Sequence, residues 1–139
     1  MRFLDANIFV YAFYKPKGKL TEKQKFMKEK AKEIVRKLIE GKEKFITTVV
    51  HVSEVANILE KALSIEALNS ILTTLYSLEN LKIVGITEEE YLIAIELMKK
   101  YKIDPNDCLA IYIMKKEGIK EIYSFDKDFD KIEEIRKLP

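Results

Sequence analysis

Cysteine and histidine are nearly absent from this chain of 139 residues, with Cys108 the one cysteine and His51 the one histidine. A lone cysteine excludes an internal disulfide, and one cysteine with one histidine falls short of a zinc site built on those ligands. Any metal held here must therefore be held by oxygen. Long apolar runs are also missing: none reaches the length needed to cross a bilayer, and the amino end has no basic region ahead of a cleavable apolar stretch. The expectation is a soluble, cytoplasmic protein with no membrane partner. Nor is there a charge excess of one sign, since 35% of the residues are charged yet the net charge is only +2. The whole chain is not a polycation.

What is present is a 47% hydrophobic content, enough at this length for one good core and too little for two. Residues 1–139 are expected to form a single domain. The stretch Arg2–Tyr14 organises the rest. Phe3, Leu4, Ala6, Ile8, Phe9, Val10, Tyr11, Ala12 and Phe13 make an almost unbroken apolar run, as a buried strand passing into a buried helix would show. Asp5 interrupts it, and neither a period of 2 nor one of 3.6 moves this carboxylate to a solvated face. An ionised carboxylate there costs several kcal/mol, as a rough figure, unless a cation or strong donors compensate. Either Asp5 caps the following helix or it binds something positive. Asn7 favours a sharp turn from strand to helix, since short polar side chains bond back to their own backbone.

Beyond this unit, Lys15-Pro16-Lys17-Gly18-Lys19 reads as a basic turn. Thr21 and Gln24 then have capping-box spacing, and an amphipathic helix runs on to Gly41. Between Lys15 and Lys44 there are twelve Lys or Arg against five Glu, a local excess of seven positive charges. Such a face is either solvated and laced with i,i+4 pairs or a phosphate-attracting flank beside a site.

Phe45-Ile46-Thr47 reads as a strand and Thr48 as the cap of a helix that carries Glu54 in its early turns. A further apolar helix, about Ile65 to Leu78, has no catalytic residue types and invites a second subunit. Leu81–Val84 is a third strand. Thr87 and Glu90 open the next helix, with Tyr91, Ala94, Ile95 and Met98 expected inward; His51 and these Tyr and Met residues read as core or rim. Asp104 is a good cap, Pro105 fits the first helical position and Asp107 falls where it can reach back to the cap. The run from Cys108 to Met114 is apolar nearly all round, so this helix is expected to be buried. With Asp104 sufficient as cap, Asp107 is free for another task. Glu121–Ser124 reads as the last strand, and Asp126, Asp128 and Asp130 follow it. That acidic loop lacks the Gly and closing Glu of a calcium loop.

Strands alternating with helices predict a parallel sheet with right-handed crossovers, which brings all strand carboxyl ends to one edge. Asp5, Glu54, Asp107 and Asp126 each sit at a strand end or in an early turn of the helix after it. Four converging carboxylates repel, and divalent cations relieve that repulsion. Oxygen-only ligation suits Mg²⁺ or Mn²⁺, which can polarise a phosphoryl oxygen, generate hydroxide from water and steady a leaving oxygen. A phosphodiester is then the natural substrate. A metal-free ribonuclease needs an acid and a base near neutrality, commonly two His, and only His51 exists. Metal-assisted hydrolysis predicts a 5′-phosphate and a free 3′-hydroxyl.

Leu4-Asp5-Ala6-Asn7, Ser53-Glu54, Asp107-Cys108-Leu109-Ala110 and Ser124-Phe125-Asp126-Lys127-Asp128-Phe129 resemble, in order, the four acidic blocks of PIN-domain nucleases, and the size resembles that of small prokaryotic VapC-type toxins. The resemblance implies an α/β fold, a three-layer α/β/α sandwich with a central, mainly parallel sheet. It implies Mg²⁺- or Mn²⁺-dependent endoribonuclease activity on RNA, frequent homodimers and an antitoxin partner. By this likeness Asp5, Asp107 and Asp126 hold the metal, and Glu54 binds it or orients its water. Asn7 and Ser124 position the acids or the substrate, with Asp104 and Asp128 as auxiliary ligands. The alternatives are an RNA- or protein-binding module of the same fold with little turnover, and a housekeeping RNA-processing nuclease. A flap-type DNA nuclease lacks room here for its DNA-clamping insertions. A phosphatase opening on Asp-x-Asp is disfavoured by Asn7.

Overall fold

The structure, a computed structural model, describes residues 1–14 and 18–139. Lys15, Pro16 and Lys17 of the expected basic turn lie outside the described residues. Strand β1 (Arg2–Leu4) leads to helices α1 (Ala6–Phe13) and α2 (Glu22–Ile39), then β2 (Phe45–Thr48), α3 (Val49–Leu59) and α4 (Ile65–Ser77). After these come β3 (Leu81–Val84), α5 (Glu88–Tyr101), α6 (Pro105–Glu117) and β4 (Glu121–Tyr123). A 3-10 turn (Lys127–Lys131) joins β4 to β5 (Arg136–Leu138).

Local chemistry sets most of these boundaries. Thr21 with Gln24 and Thr87 with Glu90 form complete capping boxes, which satisfy backbone donors that the first helical turn cannot. Thr48 caps α3, and Gly118 closes α6 in the left-handed conformation at φ 71°, where a side chain would be strained.

The five strands are all parallel, in the order β3-β2-β1-β4-β5. The fifth strand corrects the expectation that Glu121–Ser124 would be the last. Its sequence, Arg136-Lys137-Leu138, has no β-branched or aromatic residue, and its pairing to β4 comes from tertiary position.

Side chains alternate across the sheet with period 2. Leu4, Phe45, Leu81 and Tyr123 pack with α1, α2 and α4 on one face, while Phe3, Ile46 and Ile122 pack with α5 and α6 on the other. The topology explains the two faces. The chain moves from β1 outward to β2 and β3, then returns past them to β4, and right-handed crossovers in opposite directions lie on opposite faces. The result is the three-layer α/β/α sandwich, in which α6, in the layer it shares with α5, is buried from Asp107 through Ile111. One inward expectation fails: Ile95 is 44% exposed, because Ala94 alone of α5 is fully buried and the stripe turns toward Leu97 and Met98.

Candidate metal centre

A sheet of order 3-2-1-4-5 reverses direction between β1 and β4, and ligands of open α/β sheets sit beyond the strand carboxyl ends at such a point. Asp5 follows β1 directly, and Ser124, Phe125 and Asp126 follow β4. The Asp5 backbone N–H donates to the Tyr123 carbonyl at 3.1 Å, so the two strand ends are fastened where the acids emerge.

Asp5 is buried, as the apolar residues on either side of it require. Its Oδ1 accepts from the Ala6 N–H at 2.8 Å and its Oδ2 from the Ser124 hydroxyl at 2.6 Å. Ser124 Oγ also accepts the Asp126 backbone N–H at 3.0 Å and the Asn7 amide at 3.4 Å. Asn7 Oδ1 in turn accepts the Phe125 N–H at 3.3 Å. One hydroxyl thus ties both strand ends and two of the acids together.

Asp104 caps α6 through the Asp107 N–H at 2.9 Å. No reciprocal bond from the Asp107 carboxylate is formed. Asp107 is buried, and its Oδ2 has neither solvent nor a hydrogen-bond partner among the described residues. Ligand atoms of Asp104, Asp107 and Asp126 all lie within 4.8 Å of one another. Asp5 and Glu54 stand outside this tightest group. Asp128 lies on the turn beyond it, its backbone N–H bonded to Asp126 Oδ1 and its carboxylate paired with Lys131 at 3.3 Å.

Burial and the repulsion of neighbouring acids act on Asp107 and Asp5 in the same direction. Asp107 is pushed up to about 10 by burial, then by the charges of Asp5 and Asp104 and by Asp126, which can accept its proton. Asp5 is pushed up to about 6 by burial, against the pull of its bonds from Ser124 and Ala6. Among the described residues no Lys or Arg forms an ion pair with Asp5, Glu54, Asp104, Asp107 or Asp126. His51 supplies no cation either: it is 1% exposed, and burial holds its imidazole down at about 4. An oxygen-only donor set with one buried, unpartnered carboxylate oxygen fits a hard dication.

Glu54 is half-buried on α3 and accepts a hydrogen bond from the Asn106 amide, whose Oδ1 accepts from the Tyr91 hydroxyl. Sequence reasoning passed over both partners. Asn106 lies beside Asp107 at the start of α6, which was its only local signal.

A family model described as "PIN domain" matches residues 2–135. Among solved structures, VapC20 of Mycobacterium tuberculosis, described as a sarcin-ricin loop cleaving toxin, aligns with TM-score 0.71 and 16% identity over 94% of this chain and 93% of that one. A toxin–antitoxin complex from Klebsiella pneumoniae aligns with TM-score 0.65 and 15% identity, covering 98% and 96%. VapBC2 from Rickettsia felis, bound to a DNA fragment from its promoter, aligns with TM-score 0.62 and 18% identity, covering 99% and 96%. No curated protein sequence matches.

Proposed function

Since the chain belongs to the PIN-domain family, we propose that it is a divalent-metal-dependent endoribonuclease and the toxin of a toxin–antitoxin pair, residues 1–139 acting as one nuclease domain in the cytoplasm. The observation that carries this reading is the unpartnered, buried Asp107 Oδ2 within 4.8 Å of ligand atoms of Asp104 and Asp126.

Asp107, Asp126 and Asp104 would hold Mg²⁺ or Mn²⁺, with Asp5 and Glu54 beside them. When bound, the ion supplies Lewis-acid stabilisation to the phosphoryl group and makes water a nucleophile near neutral pH. The chain's own residues do the placing. Ser124 and Asn7 hold Asp5 and Asp126 in register, and the apolar layer around α6 keeps Asp107 away from bulk water while Asp104 is exposed. Asp128 serves as an auxiliary acid at the rim. RNA as substrate is supported by the basic surface of α2 and by the RNA-cleaving description of VapC20.

An antitoxin partner is supported by the structural neighbours solved as toxin–antitoxin complexes. The chain also has an apolar groove lined by Phe13, Val35, Ile39, Ile71 and Leu75. Lys32 and Arg36 stand at its rim without ion pairs among the described residues, which suits an apolar segment with acidic flanks. A homodimer would cover the exposed Ile65 and Tyr76 of α4.

The test is incubation of end-labelled RNA with the purified chain and Mn²⁺. Cleavage to 5′-phosphate products, lost with chelator and with Asp107→Asn, is the expected result. Binding without cleavage would favour the alternative of a recognition module.

A further inference from the structure

Glu54, Asn106 and Tyr91 come from three helices and form one hydrogen-bond chain. Tyr91 is in the first turns of α5, Asn106 in the first turn of α6, and Glu54 in the middle of α3. The phenol donates to the Asn106 carbonyl oxygen, and the Asn106 amide donates to Glu54 Oε1. A carboxylate at Glu54 fixes the orientation of this amide, because with the carboxamide turned over two acceptor oxygens would face each other. Bonds aligned head to tail in this way polarise one another. Glu54 Oε2 has no partner among the described residues. The Tyr91 hydroxyl lies within electrostatic reach of both Glu54 and Asp104, which places the chain beside the acidic group rather than remote from it.

We propose that Asn106 and Tyr91 are positioning residues for Glu54: the amide occupies Oε1, fixes the carboxylate's rotation and leaves Oε2 for the metal site. This rests on the reading of Glu54 as part of that site. Asn106 also adjoins Asp107 in sequence, so a single turn of α6 delivers one acid and orients another. Residues of this kind act through the ligand they hold, and removing them typically weakens metal binding by about 10–100-fold.

The experiment is Mn²⁺ titration by calorimetry on the full chain and on Asn106→Ala, Tyr91→Phe, Glu54→Ala and the Asn106→Ala/Glu54→Ala double variant, with melting curves to confirm folding. Asn106→Ala is expected to weaken Mn²⁺ binding about tenfold, and Tyr91→Phe to weaken it in the same direction by less. In the Glu54→Ala background the Asn106 change should have less than about a twofold effect, since a residue acting through Glu54 has nothing left to orient. Unchanged Mn²⁺ affinity in Asn106→Ala, or an equal loss in the Glu54→Ala background, overturns the proposal. Binding is read separately from cleavage, so the two readings fail separately. A wild-type chain that binds Mn²⁺ yet leaves RNA intact removes the ribonuclease and keeps the positioning role, whereas one that binds no Mn²⁺ removes both.

Discussion

The Ser124 hydroxyl donates to Asp5 Oδ2 at 2.6 Å while accepting the Asp126 backbone N–H at 3.0 Å, across 119 residues in the first case and two in the second. A single oxygen atom therefore sets the distance between the acid ending β1 and the acid following β4. It is 1% exposed at the residue level, so water does not compete for it.

Replacing Ser124 with Ala leaves Asp5 Oδ2 and the Asp126 N–H without their partner in a buried setting. The expected stability loss is about 1–3 kcal/mol, with a fall in cleavage rate of about 10–100-fold. Ser124→Thr keeps the hydroxyl and should retain most of both. Melting curves and single-turnover cleavage of the two variants check this.

Metal-free stability should fall as pH rises. In the folded chain Asp107 keeps its proton up to about 10 and Asp5 up to about 6, whereas both start from 3.8 unfolded. The folded state therefore binds more protons between those values, and each group's penalty is absent below pH 4 and complete above its folded pKa. For Asp5 the shift corresponds to about 3 kcal/mol. In chelator, the melting temperature should decline from pH 5 to pH 9, and Asp107→Asn should flatten the decline while abolishing Mn²⁺ binding. A flat profile in the wild-type chain would contradict the buried-acid account.

Metal binding should release protons. Near pH 7 Asp107 is protonated in the metal-free chain and must lose that proton to serve as a ligand. Calorimetry in two buffers of different ionisation enthalpy should report about one proton released per Mn²⁺, with affinity rising about tenfold per pH unit above pH 6. Zero proton release would place the ion elsewhere.

The opposite edge of the sheet provides a control. Arg2 donates to Glu43 at 2.8 Å, to the Tyr123 hydroxyl at 2.9 Å and to Glu121 at 3.0 Å, clamping the amino ends of the central strands. Arg2→Ala should cost about 1–2 kcal/mol, discounted for its partial exposure. Cleavage per folded molecule should be unchanged, as measured well below the melting temperature.

The legible parts of the sequence were those with local causes. Thr21, Thr48, Thr87, Asp104 and Gly118 bound their helices because a cap is satisfied within four residues. The parallel sheet followed from the alternation of strands and helices. Of the two readings of Asp5 the structure bears out the cap, through the Ala6 N–H, and it also places Asp5 within electrostatic reach of Asp104 and Asp126. What local reading could not reach was pairing at a distance. Asn106 meets Glu54 across 52 residues and Tyr91 across 15, and no periodicity encodes either contact. Asp104 reads as a cap and, by the family likeness, as an auxiliary ligand, but nothing local shows that it rather than Asp5 joins Asp107 and Asp126 in the tightest group. The strand Arg136–Leu138 was hidden for a related reason, since its neighbour β4, not its composition, makes it a strand.

The most direct test is anomalous diffraction from crystals soaked in Mn²⁺. The account predicts a peak within roughly 2.5 Å of Asp107 Oδ2, shared with Asp126 or Asp104 and absent in Asp107→Asn. A lysine or arginine nitrogen in that position, or density bound only to surface acids, would contradict it.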